Sequence, residues 1–225
     1  MDASKQLIAG KKIEKILAAL KKNNMQGFFV ETGAEAASLA ESLIAPGSVV
    51  AVGGSVTLRE TGIINILASG RYEYLDRYDP ALSADELKAL FRRSFSADSY
   101  LCSVNAITES GELYQVDGNG NRVAALLYGP EQVIVVAGRN KIVTDLGDAV
   151  RRVKQTAAPA NSARLNCNTP CVETGECVSL LKGAHPEMTM GCQSARRICS
   201  NYVIMARQQI KDRIKVILVG EDLGY

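Results

Sequence analysis

No stretch of this chain approaches the roughly 18 consecutive apolar residues that a membrane-spanning helix needs, so no membrane span is expected. The N-terminal MDASKQLIAGKK lacks the charged, apolar, small-residue order of a signal peptide, which makes the cytoplasm the expected compartment. Charge of one sign is missing too. With 26 basic against 24 acidic residues, the net charge of +2 excludes a broad electrostatic footprint for nucleic acid or an anionic membrane. Any anion it binds must be held locally. The chain has no C-x-x-C pair, which argues against a zinc knuckle. It has neither GxGxxG nor GxxxxGK[ST], so a nicotinamide cofactor and a P-loop are both disfavoured, although Asp76 imitates the position of a ribose-binding acid. Its single histidine, His185, precedes Pro186 in an aperiodic stretch and reads as a surface loop residue rather than a base or ligand. Internal repeats and low-complexity segments are absent.

What is present suffices for one sizeable core, since 225 residues at 47% apolar content suit a single domain spanning 1–225. Ala9, Ile13, Ile16, Leu17 and Leu20 keep helical spacing over about 4–22, with lysines mostly on the other face. Strand-like GFFVE, SVVAV and YEYLD alternate with helical AEAASLAESLI, a stretch to about Ser69, and ADELKALFRRSF behind the cap Ser83. From 99 to 137 the runs SYLCSVNAI, ELYQV, RVAALLY and QVIVVA are β-like and closely spaced, which predicts antiparallel hairpins. A helix over about 144–156 follows, then an aperiodic segment at about 161–199, a helical VIMARQQIK and a strand KVILVG. This order predicts an α/β domain with a mixed sheet and an irregular Cys-rich insertion.

The strand Val49 to Val52 runs straight into Gly53-Gly54-Ser55 and a helix, the arrangement in which free amides meet an anion. Two glycines allow a sharp turn and close approach, Ser55 can cap the helix, and the amides of Val56 and Thr57 would face a crevice. Phosphate, carboxylate or carbonyl would suit that site. A tight turn with a serine cap and no ligand is the competing reading. Arg122 and the trio Arg139, Asn140 and Lys141 are candidate anion clamps, against the simpler view that basic residues after strands are solvated.

Five of six cysteines crowd between Cys167 and Cys199, with three, five, fourteen and six residues between successive members. Thiolates in such a segment can hold tetrahedral zinc or an iron–sulfur cluster, with Arg196 and Arg197 near enough in sequence to balance its charge. Cys102, in an apolar strand, reads as a small core residue.

Read together, GGS with T-L-R-E-T-G, N-A-I-T-E-S-G, G-N-R, G-R-N-K-I-V and the closing VILVGEDLGY resemble the LUD family, the domain of lactate utilization proteins of the LutC/YkgG kind. The resemblance implies a three-layer α/β/α fold similar to the ribose-5-phosphate isomerase, glucosamine-6-phosphate isomerase and CoA-transferase group. It implies a link to oxidation of lactate to pyruvate beside iron–sulfur oxidoreductase subunits. It carries Gly53, Gly54 and Ser55 onto the family's glycine loop, Glu109, Ser110 and Gly111 onto its E-T/S-G turn, and Asn121 and Arg122 onto its G-N-R-like segment. Similar proteins carry a four-cysteine stretch ending R-I-C. It aligns with Cys171, Cys177, Cys192 and Cys199, leaves Cys167 as a spare or alternate ligand, and marks LLKGAHPEMTMG as an insertion.

Three functions follow as expectations. The first is an enzyme or binding domain, either an oxidoreductase component or a CoA-transferase-like enzyme. It would hold a small anionic ligand on Gly53, Gly54, Ser55, Thr57, Asn121 and Arg122, with Glu109 in the same cleft as base or acyl acceptor. A plain hairpin turn at Glu109 is the competing reading. The second is an electron-transfer accessory subunit with an iron–sulfur cluster on the four cysteines. The third is a zinc-stapled interaction module. A homo-oligomer is compatible with all three.

Overall fold

The computed structural model describes residues 2–182 and 187–225, so His185 and the middle of the LLKGAHPEMTMG insertion lie outside the described residues. In chain order, α1 (Ala3–Lys22), β1 (Gln26–Val30), α2 (Gly33–Ser42), β2 (Val49–Val52), α3 (Val56–Glu60), α4 (Ile63–Leu67), β3 (Glu73–Leu75) and α5 (Ala84–Arg93) form the first half. The second half contains β4 (Ser99–Cys102), β5 (Ala106–Thr108), β6 (Leu113–Asp117), α6 (Asn121–Leu127), β7 (Gln132–Gly138) and β8 (Ile142–Val143). After these come α7 (Leu146–Arg152), a π-helical stretch (Val153–Ala157), α8 (Ala158–Arg164), α9 (Pro170–Thr174), β9 (Asn201–Met205) and β10 (Ile214–Val219).

Six strands form one parallel sheet in the order β1-β10-β7-β4-β2-β3. Its two faces follow the period of two. In β7, Val133, Val135 and Ala137 face a core with Ile16 and Leu20 of α1 and Leu126 of α6. Ile134 and Val136 face the opposite core, made with Ala36 and Ala40 of α2, Leu58 of α3, and Ile63 and Leu67 of α4. Helices therefore cover both faces, as the α/β/α expectation requires. Parallel and antiparallel pairings are divided between two sheets, because β8, β5, β6 and β9 make a second, mixed sheet. Its far side packs Ala106 and Tyr114 on Ala149, Val150, Val153 and Ala157.

Local chemistry explains several boundaries. Thr32 and Ser83 form capping boxes with Glu35 and Glu86, which start α2 and α5. Left-handed Gly62 splits the helix expected up to Ser69 into α3 and α4. Two element types differ from expectation. RVAALLY is not a strand but the core of α6, and VIMARQQIK opens as strand β9 rather than a helix, paired antiparallel with β6. Only β5 and β6 make the hairpin foreseen between 99 and 137, since β4 pairs with β7 in parallel. The Cys-rich segment also contains regular structure, namely α9 and a turn of 3-10 helix at Val178–Lys182.

Candidate functional site

All strands of the parallel sheet end at the same edge, and the loops leaving them enclose a cavity of about 300 Å³. Gly54, Ser55, Thr57, Arg77, Ser103, Asn105, Asn121, Arg122, Lys141 and Tyr225 are among the residues that line it. The glycine loop serves it in two ways. A Cβ on Gly53 would stand 2.9 and 3.0 Å from Cγ and Cδ of Arg122 and 3.0 Å from the Tyr100 hydroxyl, so glycine lets Arg122 lie against the backbone. Gly54 lies under the Arg77 guanidinium, 3.6 Å from where its Cβ would be. Ser55 caps α3 by accepting from the Leu58 amide at 3.2 Å, and its own amide donates to the Tyr78 hydroxyl at 3.3 Å.

Lys141 is the most unusual residue in the cavity wall. It is 2% exposed, and its Nζ donates to Thr57 Oγ1 and Ser103 Oγ, each at 2.8 Å. No carboxylate pairs with it among the described residues. Burial, reinforced by the charges of Arg152 and Arg122, pushes its pKa down to about 7, against a smaller opposing pull from Glu60 and Cys102. The chain buries it by folding its own C-terminal segment over the sheet edge. Gly138 permits this, since a Cβ there would lie 2.5 Å from the Leu223 amide nitrogen. Asn140 then brackets the segment, accepting from the Leu223 amide at 3.1 Å and donating to the Gly224 carbonyl at 3.0 Å. The Gly224 amide donates to Glu60 at 2.6 Å, and Arg139 pairs with Asp222 at 2.9 Å. Thus G-R-N-K and E-D-L-G are two halves of one closure.

Arg122 forms a wall rather than a free clamp. It pairs with Asp117 at 3.2 Å, donates to the Val116 carbonyl at 2.7 Å and to Asn105 Oδ1 at 3.3 Å, and also donates to Gln115. Asp117 in turn accepts from the amide of left-handed Gly120, which sets Asn121 and Arg122 at the start of α6. Arg77 differs: it sits against Phe91 and Tyr78, 4.7 and 5.7 Å from the ring centroids, with no carboxylate at ion-pair distance among the described residues. With Arg164 at the rim and Asp117 neutralised by Arg122, the cavity has an excess of positive charge.

A second, smaller and more enclosed cavity is lined by Cys171, Cys177, Cys192 and Cys199, the four cysteines singled out in the sequence. All are free thiols, and Cys167 is buried outside this lining. Among the described residues, no three Cys, His, Asp or Glu side chains are close enough to hold one metal ion in common. Two cations flank the cavity without carboxylate partners among the described residues. Lys154, 5% exposed, donates to Ser179 Oγ at 3.0 Å and to the Met190 carbonyl. Arg197 spends its donors on the carbonyls of Cys199, Cys192 and Thr189 and on the Tyr202 hydroxyl. The two cavities share Ala158, Ile198 and Cys199 as a common wall, next to the π-helical stretch.

The model of the LUD domain matches residues 13–219. The chain belongs to the LUD domain family. That family is associated with lactate utilization. Among solved structures, a DUF162 family protein from Deinococcus radiodurans is similar over 93% of this chain and 97% of its own, with a TM-score of 0.51 at 14% identity. It speaks for the fold alone. A partial likeness to eIF2B beta from Chaetomium thermophilum covers 50% of this chain and 43% of that one, at 21% identity and a TM-score of 0.35. No curated protein matches.

In this LUD domain the expected shared cleft with Glu109 is not formed. Glu109 follows β5 in a turn docked on α1, where Lys15 at 2.8 Å and Lys12 at 3.5 Å hold it. It lines a separate open depression with Thr144, Arg151 and Arg152, and the Lys15 hydrogen bond lowers its pKa, the wrong direction for a base near neutrality. Gly111, at φ 81°, turns the chain tightly against α1, as in the plain hairpin reading. The loop residues Gly54, Ser55 and Thr57 do meet Asn121 and Arg122 around one cavity, with Gly53 beneath Arg122. Sequence reasoning undervalued Lys141 and omitted Arg77, Ser103 and Asn105. The available signal was that Lys141 and Ser103 each follow a buried strand of the parallel sheet.

Proposed function

We propose that this LUD domain binds a small anionic ligand of the lactate and pyruvate class in the cavity at the carboxyl ends of the strands, and so acts in oxidation of lactate to pyruvate. The observation that carries this reading is the excess of positive charge in a small cavity, where Arg77 has no carboxylate at ion-pair distance among the described residues. A carboxylate meets Arg77 in a bidentate fashion better than it meets a lysine. Titration calorimetry with lactate, pyruvate, inorganic phosphate and coenzyme A tests it. A carboxylate should bind, and Arg77→Met should weaken it at least tenfold. No carboxylate binding, or an unchanged affinity in the variant, would remove the reading.

The cysteine cavity supports a second component, a metal centre held by Cys171, Cys177, Cys192 and Cys199. What supports it is that all four cysteines line one enclosed cavity, beside buried Lys154 and half-buried Arg197, neither of which has an acidic partner among the described residues. Four thiolates with a metal carry net negative charge, which those cations would offset. An iron–sulfur cluster is favoured over zinc because the cysteine spacing lacks the C-x-x-C pairs usual in zinc sites. A cluster would supply one-electron transfer, and the partners would then be iron–sulfur oxidoreductase subunits. Protein prepared without oxygen should contain iron and a visible absorption band. Zinc without iron would favour the stapled module, and neither metal would defeat the idea.

A further inference from the structure

We infer that the side-chain nitrogen of Lys141 is a nucleophile that condenses with the carbonyl carbon of a small 2-oxo acid held in the cavity. The inference rests on the binding reading above and names the atom that reacts. It starts from hydrogen-bond direction. Ser103 Oγ donates its one hydrogen to the Val136 carbonyl at 2.6 Å, and Thr57 Oγ1 donates its own to the Leu223 carbonyl at 3.3 Å. Both hydroxyls can therefore only accept from Lys141, and each does so at 2.8 Å. A neutral amine has two hydrogens and one lone pair. The two acceptors take the hydrogens, which leaves the lone pair for a ligand in the cavity that Lys141 lines.

Burial and the neighbouring cations outweigh the weaker groups that favour the ammonium form. Arg122 and Arg152 are neighbouring cations, Glu60 is engaged by the Gly224 amide, and Cys102 is a buried thiol raised to about 11. The depressed pKa of Lys141, about 7, agrees with this geometry and leaves a substantial neutral fraction at neutral pH. Arg77 supplies the complementary charge for the carboxylate of a 2-oxo acid, next to its reactive carbonyl. The chemistry closes on itself. The lone pair forms the C–N bond while the carbonyl π electrons move to oxygen, which takes up a proton. The resulting hydroxyl then leaves as water, carrying the oxygen and the two amine hydrogens, and gives the C=N bond of an imine. No oxidant or reductant is consumed.

Pyruvate with cyanoborohydride is the probe, followed by intact-mass and peptide mass spectrometry. The expected result is one adduct per chain on Lys141, equal in mass to pyruvate less water plus two hydrogens. None should form with lactate, which lacks the carbonyl, and none at this site in Lys141→Arg. Calorimetry on the same samples separates the two levels. Pyruvate that binds without an adduct at Lys141, or labelling spread over surface lysines, overturns the imine and leaves the binding reading intact. Failure of both pyruvate and lactate to bind the wild-type chain overturns both. If Lys141→Arg unfolds, competition of the wild-type adduct by excess lactate decides, since an adduct insensitive to lactate would not arise in this cavity.

Discussion

At the scale of single residues, the glycine loop divides into one structural and one ligand-facing position. Gly53→Ala pushes a methyl group into Arg122, which four neighbours hold in place, so it should cost about 1–3 kcal/mol in urea unfolding. A Cβ at Gly54 makes only ordinary contact with Arg77, so Gly54→Val should keep the wild-type unfolding midpoint while losing carboxylate binding. Equal destabilisation of the two variants would refute that division. Lys141 gives a prediction of a different kind. Its folded pKa of about 7 lies below the ordinary 10.5, so between those values the unfolded chain holds a proton that the folded chain has released. Its contribution to stability therefore rises with pH across that window, and the penalty is full below it. Lys141→Met should be more stable than wild type at pH 7 by on the order of a few kcal/mol, and the difference should shrink toward pH 10. Burial raises the Cys102 thiol to about 11, so it stays protonated over most of this window and does not mimic the trend. A difference that does not change with pH would mean that Lys141 is not buried as an amine.

At the scale of elements, the helical run 146–164 joins the two cavities. Its π-helical stretch adds a residue to one turn, which is a device often found at functional sites. Here Val153, Ala157 and Ala158 line the strand-end cavity while Lys154 turns toward the cysteines. If Lys154 offsets an anionic metal centre, Lys154→Met should lower iron content in anaerobic preparations, yet stabilise the metal-free protein by about 1 kcal/mol or more, because a buried unpaired charge is removed. Wild-type iron loading in that variant would show that Lys154 has another role. The elements also mark what the sequence could reveal. The cap at Ser83 and the apolar periodicity of α1 made those two helices legible in the sequence. RVAALLY was not, because α6 has seven residues and begins at a left-handed glycine without a side-chain cap. Strand β9 was hidden for another reason: its conformation comes from pairing with β6, some ninety residues away in the chain, a contact that local pattern does not encode. The same limit applies to the site. The glycine loop and the four cysteines were visible as motifs, whereas Lys141 looked like a solvated base because its burial comes from residues distant in the chain, Thr57, Ser103 and Gly224 around its amine.

At the scale of the whole molecule, the last strand is the keystone of the sheet. β10 enters between β1 and β7, and Ile214, Val216, Ile217, Leu218 and Val219 are each 1% exposed or less. Burying five such side chains stabilises by roughly 10 kcal/mol at about 2 kcal/mol each, comparable with the whole stability of a typical domain, about 5–15 kcal/mol. A chain ending at residue 213 should therefore fail to fold, whereas one ending at 219 should keep the sheet and a cooperative transition by circular dichroism. The second truncation isolates the closure formed by residues 220–225. It removes Leu223, Gly224 and Tyr225 from above Thr57 and Lys141, and water then reaches the amine. Its desolvation is relieved, so its pKa should climb back toward 10.5 and the pH-dependent gap between the truncated chain and its own Lys141→Met variant should vanish. If the gap survives truncation, the depressed pKa arises from Arg152 and Arg122 rather than from burial under the C-terminal segment, and the closure does not tune the amine.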